Sequence, residues 1–145
     1  MTFNRYSTSS AARASGRDYF ASTELALAVN TALAAEQPLL VTGEPGTGKT
    51  RLAWSIAHEL GGWPVHDVQV RSDAIATDAL YAYDHLGDLR EVTRSAMPNA
   101  APARDRSAHL TYRGLGKAIT TSADGPSVVL IDEIDKAPPD FPNDL

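Results

Sequence analysis

Cysteine is missing altogether from this 145-residue chain, which excludes a disulfide scaffold and any cysteine-ligated metal centre. Positive charge is also in short supply: 13 Lys and Arg stand against 18 Asp and Glu, a net charge of −5. That balance argues against a duplex-binding surface spread over the molecule and leaves room only for a local basic patch. No uninterrupted apolar run reaches the roughly 18 to 20 residues that cross a bilayer, so membrane insertion is not expected and a cytoplasmic location is the default. The four histidines, His58, His66, His85 and His109, are scattered without a ligand-spaced pair, which favours packing or surface roles over zinc. Neither a repeat of solenoid length nor a heptad run occurs. What remains is an apolar content of 43%, suited to one globular core.

Before Asp18 the chain carries Arg5, Arg13 and Arg17 and no acid, with Ser, Thr and Ala in most other places. Such a composition builds no core, so residues 1–18 are expected to form a disordered tail, with an organelle transit peptide as the alternative. A domain is expected over 19–145. Its first helix is marked by Leu25, Ala28, Val29, Ala32 and Leu33 on one face of a 3.6-residue period, with Ser22 as cap and Pro38 as stop.

Leu39, Leu40 and Val41 then predict a short buried strand. The following residues Gly43, Glu44, Pro45, Gly46, Thr47, Gly48, Lys49 and Thr50 fit the pattern G-x-x-x-x-G-K-[ST]. Leu52, Ala53, Ile56, Ala57 and Leu60 continue at helical spacing and Gly61 is placed to end the helix. A strand, a glycine turn and a helix in that order make a phosphate cradle. Backbone N–H groups converge on phosphate oxygens, assisted by the positive end of the helix, and glycines permit the close approach. Lys49 is placed to reach the β- and γ-phosphates, and the Thr50 hydroxyl to bind Mg²⁺. Residues 43–51, through Arg51, therefore form the candidate nucleotide-binding set; the competing account is a coincidental match in a Gly/Pro turn.

Val128, Val129, Leu130 and Ile131 run without polar alternation into Asp132 and Glu133, as expected of a parallel strand covered on both faces. Ligands of such sheets sit at the carboxyl ends of strands, which makes Asp132 the candidate metal residue beside Thr50. Glu133 is the candidate catalytic residue with Lys49, orienting or deprotonating an attacking water. The alternative is that both acids are solvated where a strand leaves the core. Asp135 and Lys136 invite either reading.

Between these motifs, Val65, Val68 and Val70 predict a second parallel strand, and AIATDALYAY a helix that Asp73 caps, with metal ligation as that residue's minor alternative. Residues 91–110 are expected to be a flexible insertion. Arg90 just before it and Arg94, Arg104 and Arg106 within it could touch a polymer or a neighbouring subunit, but acids accompany them and no aromatic interleaves them, so nucleic acid is not the expected partner. YRGLGKAITT reads as a helix despite two interior glycines, and Trp54 and Trp63 read as packing residues.

Taken together, GEPGTGKTRLA at 43–53, DALYAYDHLGDL at 78–89 and VVLIDEIDKAPPDFPNDL at 128–145 resemble the AAA+ ATPases of the MoxR-like branch. The resemblance implies an α/β P-loop NTPase fold, a parallel sheet flanked by helices. Lys49 and Thr50 then correspond to the Walker A phosphate and Mg²⁺ residues, and Asp132 and Glu133 to the Walker B metal and water-activating residues. It implies ATP and Mg²⁺ as ligands, a hexameric ring, a von Willebrand factor A domain partner and a protein client. In that family the sensor 1 strand, the arginine finger and the helical lid follow this point, beyond Leu145. The family pattern sets the sensor 1 strand between the glycine-loop strand and the carboxylate strand. The expectation is thus an incomplete module with a gap in its sheet, poorly cooperative and with little steady turnover alone. A non-hydrolysing nucleotide-binding interaction module or truncated paralogue is the alternative; a GTPase, which lacks support from any Asn-Lys-x-Asp string, and a small-molecule kinase are the enzyme rivals.

Overall fold

The structure, a computed structural model, describes residues 6, 19–97 and 105–145. The expected tail lies outside the described residues except at Tyr6, as do Pro98, Pro102 and Arg104 of the expected insertion. In chain order the helices and strands are α1 (Thr23–Ala35), α2 (Lys49–Glu59), β1 (Val65–Gln69), α3 (Ala76–Leu80), β2 (Tyr81–Tyr83), α4 (His85–Ser95), β3 (Leu110–Tyr112), α5 (Gly114–Thr120), β4 (Val128–Asp132) and α6 (Phe141–Asp144). The described residues fall into two compact units, one within 1–66 and 122–130 and the other within 67–121 and 131–145. Among the described residues no helix is long and apolar enough to cross a membrane.

In the first unit α1 begins as its sequence dictates. Ser22 has extended dihedrals and its Oγ accepts from the Leu25 N–H at 3.2 Å, satisfying one of the orphan donors of the first turn. Glu36, at a φ of 54°, closes the helix in the left-handed region, and its N–H returns to Leu33. Pro38 disfavours helical dihedrals at Gln37 and keeps the chain from continuing. Helix α2 buries Leu52, Ala53 and Ala57, as the spacing predicts, and Gly62 donates back to Ala57 at 2.9 Å. Ala26, Val29, Leu52 and Tyr6 form the core cluster, with Leu25, Leu33, Val41 and Ile56 packed around it. Trp54 is a correction: it is 45% exposed, because it occupies the face of α2 opposite Leu52 and Ile56.

The segment Leu39-Leu40-Val41 is a second correction. It is not a strand and joins neither of the two sheets, and Leu40 is 72% exposed. A strand is completed by a neighbour that takes its N–H and C=O groups, and none of the four strands among the described residues fills that place.

β1 and β4 form a two-stranded sheet. Val128 donates to the Pro64 carbonyl at 2.8 Å and Val70 to the Asp132 carbonyl at 3.1 Å, so the ladder is parallel, as both apolar runs predicted. The burial of β4 is partial along its whole length rather than complete.

The second unit holds an antiparallel pair, β2 with β3, in the register Tyr81 to Tyr112, Ala82 to Thr111 and Tyr83 to Leu110. This corrects the expected helix over AIATDALYAY. Helix α3 stops at Leu80 because the Tyr-Ala-Tyr that follows is taken into the pairing with β3. Asp73 does not cap it; the Asp78 carboxylate accepts from the Ile75 N–H at 3.1 Å instead. Helix α5 keeps its two glycines for a spatial reason: a Cβ on Gly116 would collide with the Leu80 carbonyl oxygen at the end of α3.

Candidate functional site

In the first unit, residues 43–48 turn the chain from the segment 38–42, which is neither helix nor strand, into α2. Gly46 and Gly48 sit at φ values of 81° and 87°, in the left-handed region that side chains seldom enter. A Cβ on Gly46 would meet nothing within 4 Å, so the backbone there faces open space, whereas one on Gly48 would come within 3.1 Å of the Tyr19 ring. The loop is braced from within. Thr47 Oγ1 donates to the Glu44 carbonyl at 2.9 Å, and Lys49 Nζ donates to the carbonyls of Gly43 and Glu44 at 2.7 and 2.8 Å. The Lys49 ammonium is thereby held over the loop at the head of a three-turn helix, whose dipole favours an anion. Glu44, Pro45 and Arg51 are exposed around it.

In the second unit, Asp132 is the last residue of β4, and its Oδ1 accepts from the Glu133 N–H at 3.0 Å. Glu133 leaves the strand at a φ of 60° and a ψ of 35°, one of only two positive-φ residues besides glycine among the described residues. For a glutamate this left-handed geometry costs roughly 1 to 2 kcal/mol. Lys136 Nζ meets Glu133 Oε1 at 2.8 Å, and this hydrogen bond holds the Lys136 ammonium above the ordinary lysine value. Asp73 lines a cavity of about 160 Å³ beyond the end of β1, together with Arg71, Asp78, Arg113 and Phe141.

Two aromatic residues of the first unit, one against the loop and one on α1 and α2, were not singled out from the sequence. Tyr19 lies against Gly48, and Tyr6 is 3% exposed with its hydroxyl 3.0 Å from Ser55 Oγ on α2. An isolated tyrosine in a Ser/Ala-rich stretch carries no periodicity, so only three-dimensional packing reveals it.

A glycine loop at the head of α2 in a mixed α/β chain with a small parallel sheet defines the P-loop class of AAA+ type. Residues 38–145 match the family model for the AAA domain (dynein-related subfamily), and the chain belongs to that family. No curated protein and no solved structure matches the chain. AAA domains as a family are nucleotide-binding ATPase modules that commonly assemble as oligomeric rings.

Proposed function

We propose that this chain carries the ATP-binding and ATP-hydrolysing core of an AAA+ module of the MoxR-like branch. The observation that carries the proposal is the glycine loop, with left-handed Gly46 and Gly48 and an inward-held Lys49, in a chain whose residues 38–145 match the AAA domain. The residues fit a magnesium nucleoside triphosphate. Gly46 leaves its side of the loop open to a phosphate, the amides of Gly46 to Thr50 are of the kind that receive phosphate oxygens, and Thr50 and Asp132 are oxygen donors suited to a hard divalent cation.

In this reading Lys49 exchanges the carbonyls of Gly43 and Glu44 for phosphate oxygens and offsets their negative charge. The motifs make Thr50, in the first unit, and Asp132, in the second, each a proposed Mg²⁺ donor, and the ion when bound would neutralise charge on the phosphates. Glu133 orients an attacking water and accepts its proton, and the backbone geometry at this residue fixes the direction its carboxylate leaves the strand. The side chain of Arg51, on the first turn of α2, adds positive charge at the same end of the helix. ATP turnover in a hexameric ring would drive remodelling or activation of a protein client with a von Willebrand factor A domain partner.

The test is phosphate release with radiolabelled ATP, with and without a small-molecule acceptor. Phosphate released to water and absent from the acceptor supports the ATPase reading. Label on the acceptor supports a kinase, and nucleotide binding with no release in any assembled state supports a non-hydrolysing module.

A further inference from the structure

Helix α4 is amphipathic, yet it sits in its unit the wrong way round. Leu86, Leu89 and Val92 recur on one face and are 65%, 63% and 47% exposed, and Met97, just past the helix, extends the stripe at 60%. None of the helix's residues is fully buried. An amphipathic helix ordinarily packs its apolar stripe and solvates its polar one. Here the inward contacts are polar. The Tyr83 hydroxyl donates to Asp88 Oδ2 at 2.7 Å, and Glu91 Oε2 lies 3.0 Å from His109 Nε2, both side chains little exposed at 11% and 13%. The Asp84 carboxylate caps the helix through the Gly87 N–H at 2.9 Å. These contacts fix the helix rotation, and the fixed rotation turns the leucines outward.

In the ion pairs beside the stripe the acid is the less exposed partner and the arginine the more exposed one. Asp84, Asp88 and Glu91 are engaged by the contacts just given, and Asp88 also pairs with Arg106 at 3.9 Å. Arg94 pairs with Glu91 Oε1 at 3.5 Å, yet the side chains of Arg94 and Arg106 stay 66% and 81% exposed, and Arg90 and Arg94 line an open cleft with Gly87 and Glu91 along one edge of the stripe. A surface with apolar anchors at helical spacing and guanidinium groups along its border is complementary to an amphipathic helix that carries carboxylates beside its own apolar residues. We propose that the outer face of α4 docks an acidic amphipathic helix of a protein partner, its apolar residues on Leu86, Leu89, Val92 and Met97 and its carboxylates on Arg90 and Arg94.

Other occupants fit less well. Two copies of α4 laid together would bring arginine rows near one another while the acids that could answer them are already engaged. A membrane surface favours a helix rich in Lys and Arg with Trp or Phe on its apolar side, and the stripe has no aromatic residue while the chain is net negative at −5. The proposal stands independently of ATP hydrolysis.

The test selects a displayed library of short helix-forming peptides against the immobilised full chain, with counter-selection on the L86S/L89S double variant. Both substituted positions are exposed, so the fold is retained, as far-ultraviolet circular dichroism checks. Enriched sequences with Asp or Glu flanking Leu, Ile or Phe at helical spacing are expected. A synthesised winner should bind on the order of tenfold more weakly to R90E/R94E, a variant that leaves the stripe intact. Selection from the K49A chain should enrich the same sequences, which separates this outcome from that of the ATPase reading. No enrichment over the counter-selected variant, enrichment of neutral or basic peptides, co-sedimentation with phosphatidylserine vesicles in place of peptide binding, or self-association lost in L86S/L89S would each overturn the proposal.

Discussion

The Tyr6 hydroxyl lies 3.0 Å from Ser55 Oγ across 49 residues of sequence, both side chains buried, and the Tyr6 backbone exchanges hydrogen bonds at 3.0 Å in each direction with the Asn30 side chain. One residue is thus fastened to α1 and α2 together. Y6F should cost about 1 kcal/mol through the lost hydroxyl contact, and Y6A about 3 to 4 kcal/mol through the cavity it leaves, both read from urea unfolding.

The same tyrosine gives a pH signature. Burial is the largest influence on its hydroxyl and raises its pKa above the ordinary 10.0. A raised folded pKa means that the native state holds this proton more tightly than the unfolded chain. Its contribution is therefore fully present below pH 10.0 and lost as pH climbs through the higher folded value. Unfolding curves collected at increasing alkaline pH should show a decline in stability that is shallower in Y6F; an identical slope in both proteins would refute the assignment.

Gly116 on α5 faces the Leu80 carbonyl oxygen with no room for a side chain. G116A, although it improves helix propensity, should destabilise by about 1 to 3 kcal/mol because a rigid backbone atom must move. A thermal midpoint equal to or above that of the parent would show that α3 and α5 are not in close contact.

How far the chain could be read in advance depended on whether neighbours in sequence were also neighbours in space. The helical period of α1 and α2, the Ser22 cap and the glycine loop are local devices, and all stand where their residues indicate. The parallel pair of β1 and β4 was legible from two apolar runs. By contrast, Leu39-Leu40-Val41 has strand-forming residues, but pairing is a property of two segments and no neighbour takes up this one. Tyr81-Ala-Tyr83 likewise becomes a strand only because Leu110–Tyr112 returns to pair with it. The orientation of α4 was hidden for a further reason: its inward contacts join Glu91 to His109 and Tyr83 to Asp88, and polar pairs leave no periodic trace. At the candidate site the residue types were legible, while the left-handed backbone of Glu133 was not, since the sequence places no glycine there.

That backbone separates stability from activity at one position. E133G removes the left-handed strain and should be stability-neutral or stabilising by up to about 1 kcal/mol, once the added freedom of the unfolded chain is offset. It should also abolish water activation. E133Q should keep nucleotide affinity and slow phosphate release on the order of 10²-fold or more. Unchanged release in E133Q would remove Glu133 from the proposed role.

The central claim is that the loop 43–50 binds a nucleoside triphosphate through Lys49. Equilibrium titration with a fluorescent ATP analogue and Mg²⁺, on the parent chain and on K49A, tests it most directly. The account predicts saturable binding by the parent and a loss on the order of tenfold or more in K49A, with an unchanged circular dichroism spectrum. Failure of the folded parent to bind, or equal affinity in the two proteins, would contradict it.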